Sequence, residues 1–243
     1  MNKEILLSIL AISTVVALVS GATYAYLNDT ETSTGNTFTA GTLDLQIDFQ
    51  CERPGCDFSL RDLEGQAFFT ECDIKPGDSK EVTISWHVYE NNAWARLRLA
   101  DIVEYENGCL EPEKEVDGTC GTPGKGEGEL DDYLTFTAWM DEGTYPGWQC
   151  PDGNNGPCPA DLQEGDNILN GVEKIIVKDI SVNQIISQGG IKLPGELEGS
   201  TTYYLGLKWS VPSATGNIIQ GDSLTGKIIM EVVQSKNNPL PWQ

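Results

Sequence analysis

The chain has 243 residues, and its 37 acidic against 15 basic side chains leave a formal net charge of −22 with a single histidine. So acidic a surface repels nucleic acid and anionic lipid, which excludes both as partners of the folded part, while it suits divalent cations and basic partners. With one histidine, no zinc site built on a histidine pair can form.

Residues 1–4 form a short polar head, followed by the apolar run 5–22, interrupted only by Ser8, Ser13, Thr14, Ser20 and Gly21. Its length suits a secretory leader or one spanning helix. The stretch Thr23, Tyr24, Ala25 predicts cleavage by a signal peptidase between Ala25 and Tyr26, making residues 1–25 a signal peptide; uncut, the same run is an anchor. Either way the remainder is expected outside the membrane, secreted or on the cell surface. Later apolar stretches such as 175–177 and 228–233 are only strand-length.

Residues 28–37 are almost wholly polar, with Thr30, Thr32 and Thr34 on alternate positions. Such a segment buries no core of its own, yet its β-branched threonines suit an extended conformation, so it dangles or pairs with something. It carries one glycosylation sequon, Asn28 with Thr30, read as unused. Beyond it the period changes to two. Leu43, Leu45, Ile47 and Phe49 alternate with polar residues, as do Val82, Ile84, Trp86 and Val88 after the turn KPGDS. Leu97 and Leu99 follow, then Leu134, Phe136, Ala138 and Met140, then Leu205, Leu207, Trp209 and Val211, and a last, more apolar strand over 227–234. Short strands parted by Gly, Pro, Asn and Asp turns predict an all-β sandwich or barrel over residues 40–243. One short helix is expected near 167–177.

Two insertions break the pattern, near 104–132 and 141–167, both longer than an ordinary connection between strands. All seven cysteines lie beyond the leader: Cys51, Cys56, Cys72, Cys109, Cys120, Cys150 and Cys158. Outside the cell they read as disulfides stapling loops that have no core beneath them. Proximity favours Cys109 with Cys120 and Cys150 with Cys158, each closing one insertion at about 3 kcal/mol by the chain-entropy model. A third bridge among Cys51, Cys56 and Cys72 leaves one thiol over, either buried or cross-linking neighbouring subunits. A zinc cluster is disfavoured, since no CxxC pair is present and His87 falls on the polar side of a strand.

The stretch YLNDTETSTGNTFTAGTLDL behind its hydrophobic leader resembles the entry motif of the TasA and camelysin family, secreted proteins processed by a SipW-type signal peptidase. The resemblance returns in WSVPSATGNIIQGDSLTGKIIMEVVQSKNNP over 209–239, with KPGDSKEVTISWHVYENNAW between, about half the chain in all. It implies a jelly-roll-like antiparallel β-sandwich. It also implies a fibre subunit whose N-terminal segment completes the sheet of the next subunit. The candidate donor strand is 26–39, with Tyr26, Leu27 and Phe38 as apolar anchors and Thr30, Thr32 and Thr34 pairing through their backbone. An unpaired sheet edge accepts such a strand, and a head-to-tail contact that does not close yields a filament of identical copies.

Camelysin is regarded as a metallopeptidase, but no HExxH is present, and no GxSxG elbow or catalytic-cysteine signature accompanies His87. No catalytic residue is assigned, and the chain is read as a non-enzyme. Calcium is the one cofactor candidate. DEG, DGNN and EGDN within 141–167 offer oxygen ligands at Asp141, Glu142, Asp152, Asn154, Glu164 and Asp166, against the alternative of ordinary turn chemistry. Of six tryptophans, Trp86 and Trp209 fall on apolar strand faces, Trp139 is out of phase with its neighbours and either exposed or packed beneath an insertion, and Trp148 lies in a loop; a sugar-stacking platform is the alternative. The sequence thus reads as a secreted structural subunit of an extracellular filament. A monomeric surface domain binding carbohydrate or protein comes second, and a peptidase third.

Overall fold

The alternation Val82, Ile84, Trp86, Val88 becomes β3 (Ser79–Glu90), whose four inward side chains are 3, 0, 0 and 1 % exposed. The structure, a computed structural model, describes residues 43–51, 58–63, 65, 67–71, 73–142, 165–171, 173–239 and 241–242. The leader, the Ala25–Tyr26 junction and the segment 26–39 lie outside the described residues. So do Cys56, Cys72, Cys150, Cys158, Asp152, Asn154, Glu164 and Trp148.

β3 is central in an antiparallel six-stranded sheet. On one side it pairs with β1 (Leu43–Cys51), followed by β2 (Phe58–Arg61); on the other it pairs with β9 (Thr201–Ser210), followed by β6 (Thr135–Met140) and β7 (Lys174–Ser181). The second sheet is built on the long β4 (Ala93–Glu106). One flank of β4 holds β10 (Ser223–Gln234), and the other holds the two-residue strands β5 (Gly124–Lys125) and β8 (Ile191–Lys192). Ile84, Trp86, Leu205 and Leu207 from the first sheet and Ala95 and Leu97 from the second belong to one apolar core. Its burial is the main favourable term of folding. The all-β, sandwich-like architecture is the one the period-two runs predict.

Three short helices punctuate the strands: α1 (Glu111–Lys114), α2 (Leu130–Tyr133) and α3 (Val182–Ser187). The helix expected near 167–177 is not there. Asn167 sits in the left-handed region at φ 64°, which ends any helix, and residues from Lys174 onward pair with β6 as β7. The helix comes after that strand, where Ser181 accepts from Gln184 N and the Gln184 side chain returns to Ser181 N, a capping box.

Trp139, out of phase with β6's inward residues, is nevertheless fully buried. Its indole lies across Gly206 of β9, where any Cβ would clash with the ring. The same outer face of the sheet carries Thr83, which bonds Asp141 and Asn167 at the two ends of the second insertion. Trp94 and Trp242 are half-buried, the first donating to Asn238 O at 2.8 Å and the second stacked under Arg96 at 4.6 Å. None of the five described tryptophans is exposed.

Candidate functional site

β10 pairs with β4 from Ser223 opposite Tyr105 to Gln234 opposite Ala93, and among the described residues no strand lies on its other edge. A bulge between Thr225 and Lys227 interrupts the ladder near its start, and from Lys227 to Gln234 the register runs without a break. Bulges and lysines guard exposed edges in stable sheets. Here Lys227 is paired with Asp101 at 2.6 Å in an exposed, weak ion pair, so the guard stands at one end only.

Leu224, Ile228, Met230 and Val232 point toward the core but are only half-buried, whereas almost all of β9 is buried. Beside them runs a groove of about 1240 Å³. Leu99, Phe136 and Trp209 contribute to it from the sheets, and Phe69 and Ile74 from the connection between β2 and β3. It is an apolar trough alongside an unpaired edge, the combination that accepts an added strand.

One end of the groove, lined by Pro112, Leu130 and Asp222, adjoins a cluster of carboxylates assembled from four segments. Glu106 closes β4. Glu113 and Asp117 come from the turn around α1, one helical turn apart and inside the loop closed by the Cys109–Cys120 disulfide. Glu129 precedes α2, and Asp222 precedes β10. Gly221, at φ 95°, brings the chain so near Gly108 O that a Cβ there would come within 2.8 Å of it. Ligand oxygens of Glu106, Glu113 and Asp117 lie within 4.8 Å of one another, as do those of Glu106, Glu129 and Asp222. Glu106, Glu113 and Asp117 are 2, 0 and 7 % exposed.

Every carboxylate of this cluster has one oxygen held by the protein. Glu106 Oε1 accepts from Gly108 N at 2.7 Å, Glu113 Oε2 from Leu110 N at 3.2 Å, and Asp222 Oδ2 from Glu129 N at 2.7 Å. Asp117 Oδ1 accepts from Thr119 N at 2.7 Å, and the Thr119 hydroxyl stands 2.7 Å from both Asp117 Oδ1 and Glu129 Oε1, its single hydrogen serving one at a time. The second oxygen of each, Glu106 Oε2, Glu113 Oε1, Asp117 Oδ2, Glu129 Oε2 and Asp222 Oδ1, is buried with no hydrogen-bond partner. No Lys, Arg or His pairs with any of the five among the described residues. Burial, reinforced by the neighbouring carboxylates, raises Glu113 and Glu129 above the usual range and pushes Asp222 up to about 7.

The calcium ligands expected in the second insertion are placed differently where the structure describes them. Asp141 is fully buried and accepts three hydrogen bonds: Thr83 Oγ1 at 2.8 Å and Asn167 N at 3.1 Å on Oδ2, and Gly165 N at 3.2 Å on Oδ1. Burial raises its carboxyl more than these donors lower it. Asp166 accepts from Ile168 N at 2.8 Å, the geometry of a turn. Glu142, next to Asp141 in the chain, is a single-residue bridge position.

Of the cysteines, the structure brings Cys109 and Cys120 together in a disulfide, the pairing proximity favours. His87 is partly covered on β3, its Nδ1 3.0 Å from Thr202 Oγ1 and its Nε2 3.4 Å from Asp48. Burial is the largest single influence on Asp48 and raises it, but hydrogen bonding to His87 and Ser85 together with the attraction of His87 holds it below its usual range.

The entry motif, β1, β2 and β3 as far as His87 make up the matched region. Residues 1–87 match the family model of camelysin metallo-endopeptidase. The camelysin match agrees with the resemblance carried by the entry motif and KPGDS, and it ends before β4, β10 and the carboxylate cluster. No curated protein matches the chain.

The five carboxylates escaped sequence reading. Glu113 and Asp117, four apart within a disulfide-closed loop, were a local signal; Asp222 reaches Glu129 across 93 residues and gave none.

Proposed function

We propose that the chain is a secreted structural subunit that polymerises head to tail, residues 26–39 of one copy adding as a strand to β10 of the next. The observation that carries this reading is the edge of β10, free among the described residues, with its half-buried Leu224, Ile228, Met230 and Val232 facing a 1240 Å³ apolar groove. An incoming strand supplies main-chain partners to the edge and side chains to the groove. Fourteen residues, fully extended at about 3.3 Å each, span about 46 Å and match the twelve of β10. Tyr26, Leu27 and Phe38 are the apolar anchors, and the threonines between them favour the extended form. Cleavage after Ala25 by a SipW-type signal peptidase is the step that frees the donor.

The camelysin description names a metallo-endopeptidase, and that points to a second reading. Against it stand the single histidine of the chain and the engagement of that histidine by Thr202 and Asp48. A surface domain binding sugar through stacked tryptophans is supported still less, because the described tryptophans are buried or half-buried.

The test compares, by negative-stain electron microscopy, the chain starting at Tyr26 with one starting at Ala40 and with a Met230→Arg variant. Filaments should form from the first alone. The Ala40 form can accept but not donate, and Met230→Arg can donate but not accept, so each should shorten parent filaments when added at about a tenth of the parent concentration. Filaments from the Ala40 form, or no shortening by either, would sink the proposal; chelator-sensitive hydrolysis of casein would revive the peptidase.

A further inference from the structure

We propose that Glu106, Glu113, Asp117, Glu129 and Asp222 form a calcium site, distinct from the second insertion and meeting the end of the groove at Asp222. Five carboxylates packed into ligand trios no wider than 4.8 Å, with no paired cation among the described residues, repel one another strongly in a partly desolvated place. A fold keeps such a cluster only if something positive offsets it. Calcium takes six to eight oxygens at about 2.3–2.6 Å, so two ligands on opposite sides of the ion stand about 4.8 Å apart, and the ligand oxygens of each trio lie within that limit.

The hydrogen bonds argue for a ligand more directly than the charge does. Each carboxylate has one oxygen fixed by a backbone amide or the Thr119 hydroxyl and the other buried without a partner. For Glu106, Glu113 and Asp117 those free oxygens belong to side chains more than nine-tenths buried. Such fixing orients a ligand before the metal arrives and restricts it to metal-binding rotamers. Leaving a buried acceptor unmade is costly, and five in one place are not ordinary turn chemistry.

Donor type selects the ion. All ligands are oxygens, the nearby Cys109 and Cys120 are consumed in their disulfide, and the sole histidine lies on β3, so soft metals find no ligand. Magnesium holds a tight octahedral shell and keeps its waters, which five protein carboxylates leave little room for. Glu106 belongs to both trios, so one ion offsets two of the five charges and a second, bridged through Glu106, offsets two more. An ion in the first trio ties the end of β4 to the α1 loop, and one in the second ties it to the α2 entry and the start of β10. Any effect of this on polymer growth rests on the filament reading, whereas ion binding does not.

The experiment is a calcium titration of the full-length chain, purified in detergent and stripped with chelator, by isothermal calorimetry. The parent should bind calcium saturably, with magnesium at least tenfold weaker. Glu106→Gln and Asp222→Asn should each weaken calcium at least tenfold, and the pair Asp152→Ala with Asn154→Ala should leave it unchanged. Melting each variant without calcium separates loss of a site from loss of fold: the amide variants should melt no lower than the parent, and added calcium should raise the parent's midpoint more than theirs. No binding by the parent, equal affinity in both amide variants, or loss confined to the Asp152 and Asn154 pair would overturn the assignment.

Discussion

Glu106 ends β4 and Asp141 directly follows β6, so each stands where a strand hands over to a long insertion, and both are buried. Asp141 receives three donors on its two oxygens, from Thr83 and from Gly165 and Asn167 as the second insertion returns. Glu106 receives one, from Gly108, its other oxygen has no partner, and four more carboxylates crowd the side chain. Residue type and burial are alike; what differs is how many donors each insertion brings back. Where the donors suffice, the carboxylate is a clasp. Where they stop halfway, it is half of a chelate.

The largest break in this comparison should come from Asp141→Ala. Removing the clasp strands a buried hydroxyl and two amides, about 3 kcal/mol or more, read as a lower urea midpoint with or without calcium. Next, replacing both Cys109 and Cys120 by serine should cost about 3 kcal/mol or somewhat less by the chain-entropy model, and should weaken calcium binding because Glu113 and Asp117 lose their enclosing loop. The clasp should be untouched, so the Asp141 variant and the serine pair should differ in calcium response.

The smallest effect is the sharpest discriminator. Asp222 titrates at about 7 in the folded chain against about 3.9 unfolded, facing Glu106, Glu113 and Glu129. A raised acid favours folding fully below the unfolded value, and that contribution is lost as pH rises through about 7. Metal-free protein should therefore melt higher at pH 5 than at pH 8. Asp222→Asn should flatten part of that slope, by about 1 kcal/mol after allowance for solvent screening, and calcium should flatten it in the parent. A slope unchanged by Asp222→Asn would place the effect elsewhere, for instance at Asp141, whose carboxyl is raised as well.

Local patterns were readable wherever the cause was local. Val82, Ile84, Trp86 and Val88 alternate because one face of β3 is buried, and Cys109 finds Cys120 because eleven residues close easily. The helix placed near 167–177 failed because Asn167 is pulled into a left-handed turn by a carboxylate 26 residues earlier. Asp141 looked like a ligand beside DGNN and EGDN, yet its neighbours in space are Thr83 and the returning backbone. The carboxylate cluster depends on β10 folding back along β4, so Asp222 meets Glu106 only after the second sheet exists. The open edge of β10 was equally hidden, since an edge is defined by what does not pair with it.

The antiparallel register has a mechanical consequence. β1 begins at Leu43 opposite Glu90, next to the turn into β4, and Gln234 at the end of β10 pairs with Ala93 across that same turn. The cluster and the start of β10 lie at the far end of β4, where Ser223 meets Tyr105. In a thread joined as proposed, a pull on Leu43 directed along β1 would load its nine residue pairs with β3 together, in shear. A strand pulled sideways would lose its pairs in succession; a strand pulled lengthwise must break many at once, so such a thread would resist stretching far better than twisting or peeling.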